Sequence, residues 1–94
     1  MKIRVKAFAR FREILGSGLT LDLPPDGTTM AAVLATLRER AGDEGDAIFD
    51  ETGVLRAHVI LMRNGKRIGK IDRDALVLAD GGDEIALFPP VAGG

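Results

Sequence analysis

Apolar and charged residues alternate at the start of the chain: Ile3, Val5 and Ala7 fall on one side and Lys2, Arg4 and Lys6 on the other. A period of two is that of a strand with one buried face, and it predicts a strand over 2–8. After Phe11 to Leu15, Gly16, Ser17 and Gly18 predict a turn. Leu19, Leu21 and Leu23 then alternate with Thr20 and Asp22 as a returning strand. Pro24, Pro25, Asp26 and Gly27 stop it, and Thr28 or Thr29 is placed to cap a helix. Here the period changes. Met30, Val33, Leu34 and Leu37 recur at three- and four-residue spacing, with Arg38, Glu39 and Arg40 towards water and Gly42 as the stop.

From Asp43 to Arg56 the pattern is irregular, and Ala47, Ile48 and Phe49 predict a short extra helical turn. His58 to Arg63 predicts a strand with Val59 and Leu61 inward. Asn64-Gly65 is a tight-turn dipeptide, and Lys66 to Ile68 pairs back. Leu76 to Leu78 reads as a short extended or turn segment, and Gly81-Gly82 as a bend. Glu84 to Phe88 is the last strand, with Ile85 and Leu87 inward, and Pro89-Pro90 ends it. Hairpin, long helix, second hairpin and closing strand are the order of an α+β, ubiquitin-like β-grasp: a mixed sheet of four to five strands packed on one main helix.

Ninety-four residues, 46% of them hydrophobic, suffice for one core. Residues 1–90 are expected to form the domain and 91–94 a flexible di-glycine tail. Without cysteine the chain has no disulfide, thiolate metal site or thiol nucleophile, so any sulfur chemistry must use sulfur from elsewhere. The same fact excludes a β-grasp iron–sulfur protein. The N-terminus lacks the unbroken apolar run of a signal peptide, and no run reaches the length of a membrane span, so a cytoplasmic protein is expected. A formal charge of −1, with both signs interspersed, implies no direct nucleic-acid or membrane partner.

The segment Gly82-Asp83-Glu84-Ile85-Ala86-Leu87-Phe88-Pro89-Pro90-Val91-Ala92-Gly93-Gly94 closely resembles the C-terminus of the family that contains the molybdopterin synthase small subunit and the small archaeal modifier proteins. Phe8-Ala9-Arg10-Phe11-Arg12-Glu13 is similar to that family's segment after the first strand. The connection Gly45 to His58, with Phe49-Asp50-Glu51-Thr52-Gly53, looks more like the archaeal modifiers than the shorter bacterial subunits. Ala92 departs from the Ser or Thr common there. The resemblance implies that an E1-like activating enzyme uses ATP and magnesium to adenylate the Gly94 carboxylate. The product becomes a thiocarboxylate, a sulfur donor for molybdopterin or tungstopterin synthesis or tRNA thiolation, or is joined to protein lysines. The implied partners are that enzyme and either a molybdopterin synthase large subunit or target lysines. The chain itself would be a carrier or substrate, at most a non-catalytic subunit, with no bound cofactor and no metal.

The chemistry suits the tail. An α-carboxyl group has a pKa of about 3.3 to 3.7, so Gly94 would end in a carboxylate, a poor acyl donor until converted to a mixed anhydride. Two glycines let the end thread a narrow site without side chains striking its walls. Ordering each residue costs roughly 1 to 2 kcal/mol, so the tail needs help from a folded docking surface. Pro89 and Pro90 stiffen its exit from the sheet. Strand parity indicates where that surface lies. With Ile3, Val5, Ala7, Ile85 and Leu87 inward, Phe8 and Phe88 belong to the outer face, and Ile60 and Met62 join them. In the resembling subunits this face meets partner enzymes, and Arg12 matches a basic residue near the contact. Phe8, Arg12, Ile60, Met62, Phe88, Pro89, Pro90 and Val91 are therefore the candidate docking residues, and Gly93 and Gly94 the candidate reacting end.

The alternatives are a frayed terminus on a non-covalent β-grasp interaction module and an autonomous enzyme. No nucleophile and base constellation supports the latter. His58 has no second histidine or cysteine to share a metal with, and Asp43, Glu44, Asp46, Asp50 and Glu51 lack calcium-loop spacing. Gly65 to Lys70 is basic but matches no phosphate loop.

Overall fold

The structure, a computed structural model, describes residues 2–16, 18–24, 28–69, 73, 76–78 and 83–89. Strand β1 (Lys2–Ala7) alternates exposed and buried residues without interruption. Helix α1 (Arg10–Leu15) comes next, then β2 (Gly18–Asp22), antiparallel to β1 with Ile3 opposite Leu21 and Val5 opposite Leu19. The opening hairpin is thus present, with α1 inside its connection. Sequence reasoning assigned no helix there, although Phe11, Ile14 and Leu15 stand at helical spacing. Phe11 is buried in the core and the other two pack against it.

Helix α2 (Met30–Ala41) buries Met30, Val33, Leu34, Leu37 and Ala41, the expected stripe extended by one turn. Thr29 caps it: its side chain accepts from the Ala32 N–H at 3.4 Å. Thr28 instead donates its hydroxyl to the Pro24 carbonyl. At the other end the Gly42 N–H donates to the Arg38 carbonyl. A 3-10 helix (Gly42–Ala47) continues directly. The short helix therefore begins earlier than the expected turn at 47–49 and runs into it at Ala47. Ile48 and Phe49 are fully buried, and Phe49 is bridged to Leu55. Ile48 keeps helical backbone as the residue that closes this helix, and the Phe49 N–H still bonds back to the Gly45 carbonyl at 2.8 Å.

Strand β3 (Ile60–Arg63) begins two residues later than expected, because the Val59 N–H closes a turn onto the Arg56 carbonyl at 3.0 Å. His58 lies in that turn and is exposed. Asn64 and Gly65 both have positive φ, 50° and 83°, as a type I′ turn requires, and only glycine adopts the second without strain. Strand β4 (Lys66–Arg67) pairs back, and the Ile68 N–H extends the pairing to Leu61. Residues 76–78 lie across the start of α2, with Leu76 accepting from Met30 and Leu78 donating to Thr28. The bend expected at Gly81-Gly82 lies outside the described residues. Strand β5 (Glu84–Phe88) closes the sheet.

The strand order is β2-β1-β5-β3-β4. β5 is central, parallel to β1 and antiparallel to β3. One apolar cluster joins the inward residues of the sheet, the stripe of α2 and Phe49, and fully buries Ile85 and Leu87. The last strand is therefore hydrogen-bonded on both edges and packed on one face, which makes Phe88 a rigid anchor at the root of the C-terminal segment.

Candidate functional site: the outer sheet face at the root of the tail

The parallel register of β1 and β5 pairs Ala7 with Leu87. One residue further both side chains point outward, and the Phe8 N–H donates to the Leu87 carbonyl at 3.2 Å. Phe8 and Phe88 meet there as a stacked pair, ring centroids 4.3 Å apart and planes 4° from parallel. β5 also pairs with β3, which sets Ile60 opposite Phe88 and Met62 opposite Ala86. Phe8, Phe88 and Ile60 thus form one apolar row across three strands. Lys6, Ala86, Met62 and Arg67 form the row behind it. Phe8 remains 39% exposed, while Phe88, Ile60 and Met62 are half-buried.

A charged row borders this surface. Arg4 stands opposite Glu84 and binds it at 2.8 Å, with the Lys6 ammonium 3.6 Å from the same carboxylate. The Arg4 hydrogen bond, aided by the charge of Lys6, holds the Glu84 carboxyl below its ordinary pKa. At the end of β3 a polar clamp locks the register. Asp83, 5% exposed, receives Arg63 at 3.0 Å and the Asn64 side-chain amide at 2.8 Å. Asn64 also accepts from the Glu84 N–H through its side chain and donates its backbone N–H to the Glu84 carbonyl. Ile60 reaches Phe88 because this clamp fixes β3 against β5.

Directly after Phe8 the chain turns sharply. Ala9 has φ 53° and ψ −128°, a region that disfavours residues with a side chain, and the Phe11 N–H bonds back to the Phe8 carbonyl. This turn starts α1, which carries the exposed Arg12. Pro89 comes directly after β5 and is half-buried. Pro90, Val91, Gly93 and Gly94 lie outside the described residues. Four expected docking residues, Phe8, Phe88, Ile60 and Met62, are therefore brought together, while Arg12 stands on the adjoining helix.

Of the other candidates, Asp50 has a structural role. Asp50 accepts from the Thr52 hydroxyl at 2.6 Å and from the Thr52 and Val54 N–H groups. These bonds, that from Thr52's side chain foremost, lower its pKa and use it to shape a turn. No group of three or more potential metal ligands occurs among the described residues. No helix among them is long and apolar enough to cross a membrane.

A mixed sheet with its first and last strands parallel and adjacent at the centre, wrapped on one long helix, defines a ubiquitin-like β-grasp protein. Comparison with known proteins refines that class. The ThiS family model matches residues 5–94, and the chain belongs to the ThiS family. It is 37% identical over 95 residues to small archaeal modifier protein 3 of Haloferax volcanii, covering 100% of both chains. It is 34% identical to a molybdopterin synthase sulfur carrier subunit of Aedes aegypti, over 100% of this chain and 90% of the relative. Its fold superposes on the crystal structure of SAMP1 from Haloferax volcanii with a TM-score of 0.81, 32% identity and 100% coverage of both chains.

Proposed function

We propose that this protein is a ubiquitin-like sulfur carrier or protein modifier whose Gly94 carboxylate is activated by an ATP-using, E1-like enzyme. The observation that carries the reading is the Phe8–Phe88–Ile60 row. It supports the reading because it gathers apolar side chains on the outer face of the strand whose next residues in sequence lead into the Gly-Gly end. The family match through residue 94 and the names of the relatives support it.

In the proposed reaction a Gly94 carboxylate oxygen attacks the α-phosphorus of ATP, pyrophosphate leaves, and a mixed anhydride with AMP forms. The partner supplies magnesium and cationic groups for that transfer. A sulfur nucleophile then displaces AMP on the way to a thiocarboxylate, or a lysine amine takes the acyl group as an isopeptide. This chain contributes no catalytic group. Its body supplies binding energy: burying a phenylalanine is worth about 1.5 to 3 kcal/mol, which offsets part of the tail's ordering cost. A thiocarboxylate would pass to a partner such as a molybdopterin synthase large subunit.

The test incubates the protein with ATP, magnesium and its activating enzyme, with intact mass as readout. The full chain should gain an adenylate, thiocarboxylate or lysine adduct at its C-terminus, and the chain lacking Gly94 should gain none while melting at the same temperature. If the truncated chain is charged equally, the reading fails. The exposed row favours a second reading, non-covalent docking with an incidental tail, in which removal of Gly93 and Gly94 leaves partner binding and cellular function unchanged.

A further inference from the structure

Away from the sheet face, α2, the loop at 52–55 and Arg73 line a half-open cavity of about 380 Å³. Its walls are apolar at Leu34 and Val54, and its polar lining is Arg38, Glu39, Thr52 and Arg73. Arg73 is only 7% exposed, and among the described residues nothing accepts from its buried Nε. Arg63, the other arginine with a buried unpaired Nε, differs because its guanidinium is neutralised by Asp83 at 3.0 Å. The arginine side chain is a cation with five N–H donors and no acceptor. A buried cation with an unmet donor is costly, and an anion held in the cavity by the guanidinium lowers that cost.

Arg38 adds a second cation to the same cavity. One of its Nη atoms donates to the Glu51 carbonyl at 3.2 Å, which holds the guanidinium against the loop. The loop comes so close there that a Cβ on Gly53 would stand 2.6 Å from the Arg38 Nη1. Glu39 is the single acidic residue of the described lining. A guanidinium presents a planar fork of N–H donors that matches a carboxylate. The apolar walls suit a short stem behind such a group.

We propose that this cavity is a binding site for a carboxylate on a short apolar or peptide stem, with Arg73 as its principal ligand and Arg38 as the second cation. The site is independent of the Gly94 chemistry, so its test needs no activating enzyme.

The full-length protein is titrated with butyrate, N-acetyl-Ala-Gly-Gly and inorganic phosphate, following the Arg73 Nε–Hε resonance by NMR. One or both carboxylates should shift it saturably, and which of the two binds more tightly separates a free acid from a peptide end. Arg73→Gln should weaken binding by about tenfold or more. Glu39→Gln, an exposed change that spares the core, should tighten it by about twofold to fivefold by removing a like charge. Phosphate binding without carboxylate binding would overturn the assignment. So would an Arg73 resonance that no carboxylate moves but that shifts on Asp72→Asn or Asp74→Asn, since these sequence neighbours would then be its permanent counter-ions.

Discussion

Phe8 and Phe88 lie at opposite ends of the chain, and their contact depends on the parallel pairing of β1 with β5. A stacked aromatic pair contributes about 0.5 to 1.5 kcal/mol beyond area burial, and Phe8 stays 39% exposed, so truncating it costs the fold little. On the proposed docking reading, its larger value is to a partner that covers it. Phe8→Ala is expected to lower unfolding free energy by about 1 kcal/mol, read from a denaturant melt. In a binding isotherm, affinity for the activating enzyme should fall by about tenfold or more, as at an interface anchor. An unchanged affinity would remove Phe8 from the docking surface. Ile60 and Met62 are less exposed than Phe8 and serve the fold as well as the face.

Among the elements, β5 carries most of the design. It takes hydrogen bonds from β1 and β3, buries Ile85 and Leu87, and turns Glu84, Ala86 and Phe88 outward. Its start is held by the Asp83–Arg63–Asn64 clamp, in which a buried carboxylate has charged and neutral donors. Removing one partner of such a pair leaves the other unpaired and costs about 3 to 5 kcal/mol when both are buried. Arg63 is partly exposed and can regain water. Asp83→Ala is therefore expected near the lower end of that range by chemical denaturation. Hydrogen exchange should rise first at the amides that join β3 to β5, Ile60 to Arg63 and Ile85 to Phe88. Asp83→Ala with unaltered exchange there would show that the clamp does not hold the register.

At the scale of the whole molecule, a rigid β-grasp body presents one apolar face next to the strand that leads to the tail. Among the described residues, two carboxylates with lowered pKa values contribute to its acid response. Asp50, through the Thr52 hydroxyl, and Glu84, through Arg4, have folded-state pKa values below their ordinary ones. Each contributes stability above its unfolded pKa, about 3.9 for Asp and 4.3 for Glu, and loses it as pH falls through the lowered folded value. Melting temperature should therefore fall as pH drops below about 4, less steeply in Asp50→Asn and in Glu84→Gln than in the parent. Added salt should diminish the Glu84 part, an exposed ion pair, and largely spare the Asp50 part, which rests on short hydrogen bonds. Equal acid slopes in parent and variants would refute both assignments.

The alternation of Lys2 to Ala7, the stripe from Met30 to Leu37 and the Asn64-Gly65 turn determined the element order and which side chains face inward, because side-chain parity and turn chemistry are local properties of the chain. They also placed Phe8, Ile60, Met62 and Phe88 on the outer face before any strand was paired. The short α1 was missed although Phe11, Ile14 and Leu15 mark it, since six residues hold too few turns for periodicity to stand out. Tertiary structure alone decided the register of β5 between β1 and β3, the stacking of the two phenylalanines, the Asp83 clamp, and the burial of Arg73 in a cavity that Arg38 also lines. Each of these joins residues remote in sequence, where the outcome depends on which surfaces the core brings together and not on the pattern of any one segment.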